Sequence, residues 1–237
     1  METSTKLTTL GALALNRVFG SIPKLSHTLL SEAGSIRALF SMSETERNEL
    51  LGPYSKYRNT LSDRELAESE KELNRLAHIG AHFIDIENPY YPKLLKECSD
   101  APIGLYYRSD TPPEELFGST MISIVGTRDI SAYGTEWCQR IIKKLSKSPI
   151  SPCIVSGLAL GVDGCAHRSA IEYELPTIGV LPTGIESFSP RSHYRLSEEL
   201  AHTKGCALIS DFPIGYPVTP ANFLRRNRII AGLSGST

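Results

Sequence analysis

Four short apolar runs alternate with three longer segments of helical periodicity between residues 121 and 212. This alternation restricts the fold more than any other feature, because uninterrupted apolar runs are typical of strands that helices cover on both faces. The apolar runs are MISIVG, CIVSG, TIGVLP and ALISDF, and the helical segments cover about 133–147, 162–174 and 191–203. The sequence therefore predicts an α/β fold with a doubly wound, mostly parallel sheet.

The region before this alternation has a different pattern. Leucines recur with helical spacing over the first seventy or so residues, Ser43 and Glu46 have the spacing of a capping box, and Gly80 suits the end of a helix. HFIDIE and IGLYYR then resemble strands. We therefore expect a small helical domain over 1–72 and a second domain over 73–237.

Composition sets limits on location and ligand class. The chain carries a formal net charge of −1, but residues 119–237 contain 12 Lys+Arg and 9 Asp+Glu, a net charge of +3. The remaining 13 Lys+Arg and 17 Asp+Glu give residues 1–118 a net charge of −4. Neither a run of eighteen apolar residues nor a secretory signal pattern is present, so a cytoplasmic protein without membrane contact is expected.

Candidate ligand-binding residues follow the predicted strands. The carboxyl ends of parallel strands meet at one edge of a sheet, and ligands bind in the crevice outside them. Arg128 follows the first strand, the glycine-rich segment SGLALGVDG the second, and Arg191 the third. Arg225, Arg226 and Arg228 surround Asn227 after the fourth strand.

Each of these features has two interpretations on spacing alone. The glycines of SGLALGVDG can present backbone N–H groups to a phosphate, or they can simply allow a tight turn into a helix. Arg128 can bind a phosphate or form an ion pair with Asp129. Arg191 can add a second cationic contact or be a solvated charge. The arginine cluster can be a charged helix face, while Phe223 and Phe188 can stack on bases or fill the core.

Motifs for catalysis and cofactor binding are missing from the sequence. It contains no GxGxxG, GxxxxGK[ST], GxSxG or HExxH, no paired carboxylates at a suggestive spacing and no metal cluster. Asp163 and Asp211 follow strands, but capping and turn bonding explain them better than general-base roles. We therefore predict no catalytic residue, no cofactor and no metal.

Taken together, the motifs resemble the DNA-processing protein A family, also called DprA or Smf, in order and spacing. The resemblance covers about residues 70–235. The helical start is similar to that family's sterile-alpha-motif or helix-hairpin-helix type domain. The motifs that carry the resemblance are SIVGTR, VSGLALGVDGCAH, TIGVLPTGIESFSPRSH, LISDFPIGYP and FLRRNRIIAGLS.

The resemblance implies an extended Rossmann-like domain and a non-catalytic protein that binds single-stranded DNA. Such proteins protect incoming strands during natural transformation, load the RecA recombinase and work as homodimers. The family's DNA pocket, carried over by motif, predicts contacts from Arg128, Ser156, Gly157, Gly184, Arg191, Arg226, Asn227 and Arg228.

The chain departs from the family pattern at several positions. Leu160 replaces an arginine of the glycine-rich motif, Ser189 replaces a tyrosine, and Phe223 begins an altered version of the arginine motif. The chain also stops at Thr237, where family members continue with another strand and helix, so we expect truncation there.

Two other functions remain open on the sequence alone. The first is a Rossmann-like protein that binds or hydrolyses free nucleotides and is related to the lysine-decarboxylase-like phosphoribohydrolases. The PGGxGTxxE motif of those enzymes is missing from the sequence. A protein-interaction module built on the acidic N-terminal helices is the second.

Overall fold

The computed structural model describes the backbone of residues 2–236 and the side chains of residues 5–236. Its centre is a six-stranded sheet with the strand order β1-β2-β6-β5-β4-β3. The strands are β1 His82–Asp85, β2 Gly104–Arg108, β3 Met121–Ser123, β4 Cys153–Ser156, β5 Thr177–Val180 and β6 Ala207–Ser210. β3, β4, β5 and β6 are parallel, whereas β2 pairs antiparallel with both β1 and β6. The predicted mostly parallel sheet is confirmed.

Helices precede the sheet and connect its strands. They are α1 Glu2–Phe19, α2 Pro23–Ala33, α3 Ile36–Ser41, α4 Glu44–Leu50, α5 Asp63–His78, α6 Lys93–Lys96, α7 Pro113–Leu116, α8 Ala132–Ser146, α9 Val162–Glu172, α10 Tyr194–His202 and α11 Pro220–Leu233. The capping box of Ser43 and Glu46 is present, and Gly80 follows α5 with φ +65°. No helix within residues 2–236 combines the length and apolarity that crossing a bilayer requires.

Helices cover both faces of the sheet. Successive residues of a strand point to opposite faces, so neighbours on β4 belong to different parts of the core. Ile154 clusters with Ile142 of α8 and Ala166 of α9, whereas Val155 clusters with Ile229 of α11. The four parallel strands therefore lie between two helical layers, as the apolar runs predict.

The N-terminal helices bind directly to the segment that follows β6. The side-chain amide of Asn16 donates to the Asp211 carbonyl at 3.0 Å, and the Ile214 amide donates to the Glu72 carboxylate at 2.9 Å. Arg17 also donates to Glu72, at 2.8 Å. The domain boundary between residues 72 and 73 stays a prediction.

Candidate nucleic-acid interface

Two adjoining cavities, of about 350 and 490 Å³, open at the carboxyl ends of the parallel strands. They share Arg128, Phe223 and Leu224, and we call them together the Arg128 cleft. The cleft is lined by Val125, Gly126, Arg128, Ala159, Asp163, Ser189, Val218, Thr219, Pro220, Phe223, Leu224, Arg226, Asn227, Ile230 and Ala231. The topology therefore brings three predicted residues, Arg128, Arg226 and Asn227, to one site.

Arg128 presents an exposed guanidinium to this cleft. The guanidinium lies 5.2 Å from the centre of the Phe223 ring, a cation–π distance. No carboxylate of residues 5–236 lies within 4 Å of it, so the alternative ion pair with Asp129 does not form. An arginine held on an aromatic ring without an acidic partner keeps its planar set of donors available for an anion.

Arg226 forms the floor of the cleft and is almost fully buried. Its guanidinium donates to the Val180 carbonyl at 2.5 Å and to the Asn227 side chain at 3.2 Å. Burial lowers the pKa of Arg226, while the nearby Asp163 carboxylate acts in the opposite direction. Burial likewise raises the pKa of Asp163, and Arg226 opposes that shift. These two charges compensate each other, so Arg128 supplies the cleft's excess positive charge.

The turn after β4 brings the backbone close to this charge pair. A Cβ atom on Gly157 would collide with both the Asp163 carboxylate and the Arg226 guanidinium, so glycine is required there for close approach. The Ser156 hydroxyl donates to the Ile124 carbonyl at 2.6 Å and ties the turn to the loop after β3. Ser156 and Gly157 thus support the cleft from behind.

Three amide groups near the start of α9 are already occupied. The Ala159 amide donates to the Asp163 carboxylate at 3.3 Å, and the Val162 amide donates to the Thr127 carbonyl at 3.1 Å. The Gly164 amide also donates within the turn, to Ala159. The unobstructed phosphate-binding amides that the glycines suggest are therefore not seen at these positions, and the tight-turn interpretation fits better.

Two buried histidines hold consecutive carbonyls of the same turn. The Nε2–H of His167 donates to the Gly157 carbonyl at 2.6 Å. The Thr177 hydroxyl lies 2.7 Å from His167 Nδ1 and 2.8 Å from the Ile154 carbonyl, so its single proton is shared between these two acceptors. His193 donates from Nδ1 to the Leu158 carbonyl at 3.0 Å. Both histidines therefore stabilise the conformation of this turn.

This arrangement predicts acid lability. Burial lowers the pKa of His167 to about 4, from 6.5 in an unfolded chain. Between these values the unfolded state binds a proton that the folded state does not, so stability falls as the pH drops from about 6.5 to about 4. Urea titrations of the parent and of His167→Gln at several pH values test this. We expect the parent's stability to depend more steeply on pH; equal slopes would contradict the assignment.

Helix α11 separates arginines that the sequence groups together. The sequence places these arginines after the fourth strand and leaves a charged helix face open as one interpretation. A helix does begin at Pro220, and consecutive residues of a helix point about 100° apart. Arg225 and Arg228 therefore share a face and both bind the buried Asp211 carboxylate, at 2.9 and 2.6 Å. Arg226 points into the Arg128 cleft instead.

Besides Ser156 and Gly157, which lie behind the Arg128 cleft, three further predicted residues do not line it. Gly184 is buried beyond β5 beside Glu186, and Arg191 is exposed on a single 3₁₀ turn. Arg228 binds Asp211 and also donates to the Asp100 carbonyl. Contacts of these residues with DNA stay predictions.

The structure gives Phe223 and Asp163 a larger part in the site than the sequence indicates. Phe223 lies half-buried beneath Arg128 and borders both cavities, which favours the stacking interpretation over the core one. Phe188, by contrast, packs against Tyr194 at 5.9 Å between ring centres. Asp163 balances the charge of Arg226. The helical spacing of three residues between Phe223 and Arg226 is a signal that could place both on one side.

The family model for DNA recombination-mediator protein A matches residues 82–237. These residues include all four strand-end segments and the whole Arg128 cleft. The chain belongs to this family. Its membership confirms the family that the sequence motifs indicate.

Individual relatives show the same similarity. The chain is 36% identical over 165 residues to protein Smf of Escherichia coli K12, covering 70% of this chain and 42% of that protein. The structure of DNA processing protein A from Streptococcus pneumoniae superposes with a TM-score of 0.71 at 25% identity, covering 97% of this chain and 74% of that one.

A second solved structure carries a ligand class in its description. DNA processing protein A from Helicobacter pylori, which binds single-stranded DNA, superposes with a TM-score of 0.55 at 28% identity, covering 65% of this chain and 66% of that one. The chain spans only about half the length of the curated relatives it matches, between 42% and 55% for the first four.

Proposed function

We propose that the chain binds single-stranded DNA through the Arg128 cleft and does not cleave it. The observation that carries the proposal is the exposed Arg128 guanidinium, which lies over Phe223 and has no carboxylate of residues 5–236 within 4 Å. A cation beside an aromatic ring suits a strand that offers both phosphates and base faces, because guanidinium groups bind phosphate and rings stack on bases. The similarity to the Helicobacter pylori protein supports the same ligand.

The proposal extends to the protein's role in the cell. As a family member, the protein would act in the cytoplasm, protect incoming strands during natural transformation and load the RecA recombinase onto them. It would do so as a homodimer and without a cofactor. Family membership supports these parts, whereas the DNA-binding part also depends on the geometry of the Arg128 cleft.

Fluorescence anisotropy tests the central claim. Labelled single-stranded and double-stranded oligonucleotides of one sequence are titrated with the protein across a salt series. We expect tighter binding of the single strand, with log K falling linearly with log salt by about 0.7 for each phosphate neutralised. Binding of nucleoside monophosphates together with no binding of oligonucleotides would instead support the free-nucleotide alternative.

A further inference from the structure

The outward face of α8 carries three large apolar side chains that neighbouring elements leave partly uncovered. Tyr133, Trp137 and Ile141 recur every fourth residue and are 70%, 44% and 49% exposed. The opposite face, with Cys138 and Ile142, is buried against the sheet and α9. Single exposed apolar residues are ordinary on protein surfaces, but a row of three on one helix face indicates a contact surface.

The same face is positively charged. Arg140 and Lys144 lie within about 60° of Tyr133 and Trp137 around the helix axis, given about 100° for each residue. Residues 132–147 contain four cationic side chains and one carboxylate, Glu136, which pairs with Arg140 at 2.7 Å. The row of rings is therefore flanked by lysines that have no acidic partner within residues 5–236.

Rings and cations are also interleaved along this face. The ring centres of Tyr133 and Trp137 are 6.0 Å apart, and the Arg140 guanidinium lies 5.7 Å from the centre of the Trp137 ring. Open aromatic faces next to cations are the combination that binds a single nucleic-acid strand, since bases stack on the rings while the cations neutralise phosphates. Charge complementarity thus favours a polyanion over an apolar partner.

The position of α8 connects this face to the Arg128 cleft. α8 begins at Ala132, four residues after Arg128, so its Tyr133 end lies at the edge of the sheet where the cleft opens. From Tyr133 to Lys144 the face extends about 16 Å at 1.5 Å per residue, away from that edge. A strand that leaves the cleft on this side would meet Tyr133 first.

We propose that Tyr133, Trp137, Arg140 and Lys144 form a second contact surface for the single strand held in the Arg128 cleft. This inference rests on the proposed function and adds to it. It predicts that a short oligonucleotide occupies the cleft alone and that a longer one also covers the outer face of α8.

Trp137 is the only tryptophan of the chain, so its fluorescence reports on this surface directly. The full chain is titrated with oligothymidylates of about 6 and about 20 nucleotides, a range that spans typical single-strand sites. We expect the longer strand to quench Trp137 and the shorter one to leave its emission unchanged. Binding of the longer strand without quenching would overturn the inference while leaving the proposed function in place.

Substitutions provide a second readout. Trp137→Ala and Lys144→Ala should each weaken binding of the longer strand several-fold and leave the shorter one unaffected, whereas Trp137→Phe should retain most of the affinity. Lys24→Ala, an exposed lysine on α2, is the matched control. Because Lys144 is exposed, its variant keeps the test decisive if Trp137→Ala misfolds.

Two further results would overturn the inference in different ways. Unchanged affinities in both α8 variants, with Trp137→Ala converting a dimer to a monomer in sedimentation velocity, would assign this face to contact between copies of the chain. Failure of the parent to bind either strand would contradict the proposed function, and the inference with it.

Discussion

Arg128→Ala should weaken binding of single-stranded DNA by about tenfold to a hundredfold, the range for one charge-assisted contact of about 1.5–3 kcal/mol. The loss should be similar for every sequence, because a phosphate contact carries no base information. The salt dependence should also change, with the slope of log K against log salt falling by about 0.7 for the phosphate no longer neutralised. Anisotropy titrations over a salt series measure both quantities.

Two further variants separate charge from geometry at this position. Arg128→Lys keeps the cation but loses the planar fork of donors and its stacking on Phe223, so intermediate affinity with an unchanged salt slope is expected. Arg37→Ala removes an exposed arginine of α3, remote from the cleft, and should have little effect. Equal affinities of Arg128→Ala and Arg37→Ala would show that the cleft is not the binding site.

Asp211→Ala should destabilise the fold by about 3–5 kcal/mol, as for removal of one partner from a buried ion pair. Asp211 is fully buried and binds both Arg225 and Arg228. Its loss leaves the partly buried Arg225 guanidinium with no carboxylate of residues 5–236 within 4 Å, and it leaves Arg228 with Asp100 alone, at 3.9 Å. The Arg225 guanidinium also lies 4.3 Å from the centre of the Phe212 ring. This stacking and the Asp211–Arg225 ion pair together hold α11 against the end of β6. Urea unfolding monitored by circular dichroism measures the change.

The matched control for this variant is an exposed ion pair. Glu136→Ala removes the partner of Arg140 on the surface of α8, where such pairs contribute at most about 1 kcal/mol. Asp211→Asn keeps a hydrogen-bond acceptor for the arginines and should fall between the two. A loss of stability for Asp211→Ala no greater than for Glu136→Ala would refute the anchoring role.

The sheet was predictable because its signal is local. Apolar runs and helical periodicity identify strands and helices one at a time, and the rule that parallel strands end at one edge places Arg128 and the β4 turn together. The glycine at position 157 also has one physical reason nearby, since it admits the Asp163 carboxylate, six residues along the chain. These parts of the site needed no information about distant contacts.

The division of labour among the arginines was not predictable in this way. Arg225, Arg226 and Arg228 resemble one basic cluster in sequence, but a helix turns them toward different partners. Their positions depend on distant partners. Arg225 binds Asp211, which precedes it by 14 residues, and Arg226 binds Val180, which precedes it by 46. Pairings over such separations follow from packing, and neither spacing nor composition specifies them.

The hydrogen bonds that join Asn16 and Glu72 to residues 211–214 couple the stability of the acidic helices to that of the Arg128 cleft. These helices hold the segment that leads into α11, which lines the cleft. Unfolding of the helices would therefore remove a support of the cleft. A ligand that prefers the intact cleft must then favour the folded helices as well, up to its own binding free energy. Ligand binding in the Arg128 cleft therefore also stabilises the folded N-terminal helices.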